Sequence, residues 1–236
     1  VIRSESLAGL PGPVQRYLLY SGVVGKPRVK TVWLKQAGRF RRGGDQPWMP
    51  MTAQQFYTVT PPGFVWDARF KVSGLPLLRA RDTYRKGEGH MFARLAGVFP
   101  VFDVRDEKLT QGAMVRFLQE MMWFPAAYLE PCVQWTAVDD TCAKVSFVDC
   151  GKTVSGRMYF NEQGQVVDFS AKRYREDNGA FTLDTWSTPI GRYGELAGLN
   201  LPLSGKAVWK LAEGDLTYAE LDILDVQYNP NLASMR

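Results

Sequence analysis

Glu120 places a carboxylate inside an apolar stretch, FLQEMMWFP, residues 117–125. On a helical wheel at about 100° per residue, Met114, Val115, Phe117, Leu118, Met121, Met122 and Phe124 cover a wide arc. Arg116, Gln119, Glu120 and Trp123 form a narrow stripe. Two arrangements fit this pattern. In one, Arg116 and Glu120 make an exposed (i, i+4) ion pair worth a few tenths of a kcal/mol, which leaves the large ring of Trp123 unexplained. In the other, the stripe faces a cleft lined by Trp123 and Met122. Glu120 then supplies a polar anchor or a proton, and desolvation moves its acidity toward the working range of a general acid or base.

Further polar candidates sit on period-two segments, where successive side chains alternate between faces. FVWDARF carries Phe64, Trp66, Ala68 and Phe70 on one face and Val65, Asp67 and Arg69 on the other. RARDTYR offers Arg79, Arg81, Thr83 and Arg85 on one side, Asp82 and Tyr84 on the other. DFSAKRYR groups Phe169, Ala171, Arg173 and Arg175. Most such charges make cross-strand pairs on an outer face. The segment WSTPIGRYGE, residues 186–195, reads as a loop whose Trp186, Tyr193 and Glu195 suit the rim of a cleft.

Absent motifs narrow the chemistry. A single histidine, His90, leaves no clustered-histidine metal site. There is no CxxC, no GxSxG elbow, no Walker A loop and no GxGxxG after a strand. No metal or cofactor is expected, and any catalysis would rest on carboxylate, Tyr, Arg or Lys. The net charge of +5 is mild, and its densest cluster, GRFRRGG, fits a solvated hairpin end. The sharper reading of that cluster is contact with an anionic surface, but no nucleic-acid motif accompanies it and no nucleic-acid partner is expected.

The elements that must position these residues are mostly strands. LPGPVQRYLLYSGVVG, residues 10–25, predicts a short amphipathic helix with prolines in its first turn and Gly22 at its end. From about residue 29 to 106 the pattern is period two, with Gly and Pro in the turns. A central helix is expected over 111–129, broken or kinked at Pro125. Strands resume from 133 to 228, with turns at DDT, NEQG and EDNG. The prediction is one α+β domain over 1–236: a large curved antiparallel sheet, half-barrel-like, with two or three helices packed on one side.

The three cysteines, Cys132, Cys142 and Cys150, argue against a disulfide framework. Cys142 and Cys150 flank one strand, which puts them roughly 25 Å apart, too far for a bridge. Reduced thiols suit a cytoplasmic protein. No run of 18 apolar residues predicts a spanning helix. The start at Val1 keeps a removed leader as the alternative.

The segments PVQRYLLYSGVVGKP, QPWMP, FVWDARF, EMMWFPAAYL, RYRE, WSTPIGRYGE and AVWKL, in this order from Leu10 to Tyr228, together resemble a bacterial family catalogued as a domain of unknown function. The resemblance implies no activity, and no catalytic role is carried over from it. The strand-rich pattern is also similar to the half-barrel of bacterial lipoprotein carriers, in which a curved sheet wraps helices and holds an acyl chain. A pigment-pathway enzyme similar to those carriers uses the same cleft for catalysis. Fold does not dictate function, so two expectations stand. The first is a concave face with Trp33, Trp66, Phe70, Met122 and Trp123 that binds an apolar small molecule or lipid. The second is a metal-free and cofactor-free isomerase, cyclase, lyase or hydrolase. It would use Glu120 as acid or base, with Tyr84, Arg81 or Arg173 polarising the substrate.

Overall fold

The computed structural model describes residues 1–177 and 179–231. Asn178, in the EDNG turn, and the last five residues of the predicted 1–236 unit lie outside the described residues.

The first strand set is β1 (Thr31–Phe40), β2 (Met49–Thr58), β3 (Gly63–Val72), β4 (Leu75–Arg85), β5 (Glu88–Leu95) and β6 (Phe99–Val104). The second is β7 (Val133–Asp139), β8 (Cys142–Asp149), β9 (Lys152–Phe160), β10 (Val166–Asp177), β11 (Ala180–Ser187), β12 (Ile190–Leu196), β13 (Leu199–Leu211) and β14 (Gly214–Tyr228). All join one antiparallel sheet in the order β6-β5-β4-β3-β2-β1-β14-β13-β11-β10-β9-β8-β7, with β12 paired to β13. The first set is a meander, in which turns keep consecutive strands adjacent; in the second, β11 pairs with β13 and β12 folds back on β13 off the main path. Lys86 and Gly87, between β4 and β5, both have positive φ, as a two-residue type I′ hairpin requires.

The last strand closes back on the first, so the two ends of the strand order are β6 and β7. The chain crosses between them through α2 (Glu107–Glu120). Helix α2 touches β4 and β5 near one edge and β8, β9 and β10 near the other. A helix only about 10–12 Å across can do this only if the sheet curls around it. The coarse α+β expectation therefore holds, with an open, curled antiparallel sheet. The described residues form two α-helices and are mostly β.

Helix α1 (Gly12–Ser21) ends at Gly22, whose φ of 78° gives the left-handed C-cap. Its predicted face, Val14, Tyr17, Leu18 and Ser21, is buried. Helix α2 starts four residues before the expected 111, because the Asp106 side chain accepts from the Leu109 N–H at 2.6 Å and caps it. It ends at Glu120, well before 129. Met121–Trp123 tighten into a 3-10 turn, Phe124 leaves helical geometry, and Pro125–Leu129 form a second 3-10 segment. Tyr128 Oη donates to the carbonyls of Leu118 and Gln119, two of the orphan acceptors at the helix end.

The inward rows are those that period two predicts: Phe64, Trp66, Ala68 and Phe70 on β3 are buried. They face a single core cluster that includes Phe117, Leu118, Met121 and Met122 of the central crossover. The three thiols are unpaired. Among the described residues, no helix is long and apolar enough to cross a membrane.

Candidate functional site

The stripe on α2 does not face water. Gly112 to Glu120 are all buried except Arg116, whose side chain is 14% exposed, and Glu120 is 3% exposed. This corrects the exposed-pair reading. The cause is tertiary: the curled sheet covers the polar stripe as well as the apolar arc.

Arg116 is the hub. Its Nε donates to Glu120 Oε1 at 2.8 Å, Nη1 to Asp82 Oδ2 at 2.9 Å and Nη2 to Gln55 Oε1 at 3.1 Å. Its guanidinium lies 4.8 Å from the Trp66 ring and 5.2 Å from that of Phe64, within cation–π range. Glu120 Oε2 accepts from Gln55 Nε2 at 2.7 Å and from Tyr57 Oη at 3.0 Å. Burial opposes the charge on Arg116, but Glu120 and then Asp82 outweigh it and hold the guanidinium above its ordinary range. Gln55, Trp66 and Asp82 are direct register partners across β2, β3 and β4, so the sheet presents them to the helix as one layer.

Behind this hub lies a cavity of about 180 Å³ between the sheet and α2. Rings and thioethers dominate its wall: Phe40, Trp66, Trp123, Trp186, Tyr218, Met51, Met91 and Met122. The polar lining carries Arg116, Arg173 and Lys206 against Asp82 and Glu120, three cations to two carboxylates. Three buried polar atoms of lining residues have no hydrogen-bond partner in the protein: Asp82 Oδ1, Arg173 Nε and Thr188 Oγ1. Arg173 stacks 4.8 Å from the Trp186 ring, and its Nη1 reaches Tyr218 Oη at 3.3 Å. Trp186 Nε1 donates to the same Tyr218 oxygen at 2.9 Å. Among the described residues there is no group of three or more His, Cys, Asp or Glu that could hold a metal ion.

Burial pushes the Asp82 carboxyl above its ordinary 3.8, and the nearby Arg116 and Arg173 pull it back only in part. A carboxyl raised in the folded state stabilises the fold most below its unfolded value, and that contribution is lost as pH rises through the folded value. Asp82→Asn keeps the shape and removes the titration. The stability of the wild type relative to Asp82→Asn should therefore fall as pH rises from about 4 toward neutrality. Urea unfolding at a series of pH values measures this, and a pH-independent difference contradicts it.

Of the residues singled out from sequence, Trp66, Glu120, Met122, Trp123, Arg173 and Trp186 line the cavity. The others lie elsewhere. Asp67 and Arg81 sit on the outer face of the sheet, where Arg79 donates to both Asp67 oxygens and Arg81 donates from Nε and Nη2 to Oδ2 alone. Period two already sets Arg81 opposite Tyr84. Tyr84 points inward but is fully buried, and its Oη donates to Asp149 at 2.6 Å. The segment 186–195 is the end of β11, a short link and β12, rather than a loop. There Tyr193 Oη donates to the Val166 carbonyl, and Glu195 is exposed. Trp33 is likewise outward, with Nε1 on Gln54, while its neighbours Val32 and Leu34 are buried.

Asp82 is marked from sequence only as sharing a strand face with Tyr84, and Gln55, Gln36 and Thr188 are not singled out there. For the first three a signal existed: each is a polar residue in a row that otherwise reads inward and apolar, as in Val32–Leu34–Gln36 and Met51–Ala53–Gln55–Tyr57. Gln36 Oε1 accepts from Trp66 Nε1 at 2.9 Å, and its Nε2 has no partner.

Two solved structures share the fold. A LolA superfamily protein from Nitrosomonas europaea superposes with a TM-score of 0.54 at 11% identity, covering 94% of this chain and 96% of that one. A DUF1329 family protein from Desulfovibrio piger gives 0.52 at 10% identity, covering 93% of each chain. These likenesses concern architecture alone and agree with the carrier-like half-barrel. No curated protein matches the chain. The model of a family of unknown function (DUF6544) matches residues 1–221, and the chain belongs to that family.

Proposed function

We propose that the protein binds an apolar small molecule or lipid in the cavity between the sheet and α2, acting as one binding unit. The observation that carries this reading is the contrast inside the cavity. Rings and methionines make the wall, yet Asp82 Oδ1, Arg173 Nε and Thr188 Oγ1 are buried there without protein partners. Each such atom costs about 1–3 kcal/mol, and a ligand with one polar end and an apolar body answers both features. The alternative, with Glu120 as general acid or base, gains nothing from the geometry. Both Glu120 oxygens already accept hydrogen bonds from Arg116, Gln55 and Tyr57. The free thiols support a reducing compartment.

Native mass spectrometry of freshly purified protein, followed by denaturing extraction, tests this. The expected result is a discrete extra mass that extracts as an acyl or isoprenoid compound. A clean protein mass, together with no binding of the neutral fluorophore N-phenylnaphthylamine, overturns the reading.

A further inference from the structure

The cavity is small for a lipid. Its volume of about 180 Å³ corresponds to roughly six water-sized groups, so a long acyl chain must leave it. The sheet register shows where such a chain would go. Met51, which lines the cavity on β2, is the direct partner of Phe70 on β3. Phe70 pairs with Leu78 on β4, Leu78 with Leu95 on β5, and Leu95 with Phe99 on β6. Directly paired residues point to the same face of a sheet, so these five form one apolar row on the concave side. Leu95 also lies two residues beyond the buried Ala93 and four beyond Met91 of the cavity wall.

Exposure rises along the row, from 4% at Phe70 to 39% at Leu95 and 65% at Phe99. Four inter-strand steps of about 4.8 Å give a track about 19 Å long. Contiguous exposed apolar surface of this kind marks a binding face. The row carries no charge, whereas the cavity at its inner end has three cations against two carboxylates and the unpartnered Arg173 Nε. Charge is thus complementary to an acidic group inside, and apolar surface leads outward.

We infer that the ligand is a single-chain amphiphile with an acidic head: the head is held in the cavity at Arg173, and the tail runs along the Met51–Phe99 row to the β6 edge. This inference rests on the cavity-binding reading and adds the ligand's class and direction. Affinity then depends on chain length beyond what the cavity holds, and on residues far from the cavity.

The test is displacement of N-phenylnaphthylamine from the full chain by laurate, hexanoate and dodecanol, for wild type and Phe99→Asp, with the solution mass of each protein measured alongside. The wild type should bind laurate at least tenfold more tightly than either hexanoate or dodecanol. Phe99→Asp should close most of the gap between laurate and hexanoate and leave hexanoate unchanged. Equal affinity for laurate and hexanoate, or a gap that survives Phe99→Asp, overturns the tail path while leaving the cavity reading intact. Equal affinity for laurate and dodecanol overturns the acidic head. A dimer that Phe99→Asp dissociates assigns the row to a second copy of the chain and also overturns the inference. Failure of the fluorophore itself to bind counts instead against the cavity reading.

Discussion

Arg116→Met is expected to destabilise the protein by about 3–5 kcal/mol, the cost of stranding buried charge by removing its partner. Methionine fills much of the same volume between Trp66 and Phe64, so the loss comes mainly from Glu120 and Asp82, left as carboxyl groups in an apolar layer. An exposed (i, i+4) pair would lose only about 0.3–0.5 kcal/mol, so the measurement separates the two readings of the stripe on α2 by almost a factor of ten. Urea unfolding gives the number. The triple variant Arg116→Met, Asp82→Asn, Glu120→Gln carries no charge in the layer and should recover a large part of the loss. A loss under about 1 kcal/mol in the single variant would mean that water reaches the carboxylates. The same hub ties α2 to β2 and β4 at once, so it also sets how the helix lies across the sheet and thus where the cavity opens.

Ala219→Trp is expected to weaken binding of N-phenylnaphthylamine by about 100-fold, equivalent to about 2.7 kcal/mol. Ala219 lines the cavity and stands opposite Ala207 on β13 and Phe40 on β1, both also in its wall. An indole added there occupies much of a space of about 180 Å³. Filling a real void usually leaves stability unchanged or raises it, whereas forcing a ring into a packed core costs about 1–3 kcal/mol. Thermal unfolding therefore reports whether the space is there, and fluorophore titration reports whether ligand uses it. Ala219→Leu provides the graded case, with a smaller loss of affinity. Undiminished binding by Ala219→Trp would move the ligand to another part of the molecule.

Local physics made much of this legible beforehand. Alternation on FVWDARF put Trp66 and Phe70 inward and Asp67 outward, and the structure keeps that division because a pleated strand leaves no other choice. Pro11, Pro13 and Gly22 bracketed α1, and Pro125 keeps Phe124 out of helical geometry, each through a backbone constraint that acts within a few residues. The absence of metal-binding and nucleotide-binding motifs is likewise a property of composition and spacing alone. One kind of error recurs. Asp67, Arg81 and Trp33 were drawn into the cleft because their residue types suited a binding site, although each lies on the face that alternation assigns to the outside.

What the chain's own order of residues determined was therefore most of the strands, their inward and outward faces, and the limits of α1. Only the tertiary structure decided that the polar stripe on α2 is buried, that Asp82 and Gln55 meet Arg116 across more than thirty residues of sequence, and that Arg173 shares a cavity with Asp82. The physical reason is the curl of the sheet. Strand pairing acts between neighbours and can be read from period and turn. The closing of β14 on β1, with α2 crossing from one end of the strand order to the other, depends on the summed twist of all the strands and on what the concave face must cover, and no local segment encodes either.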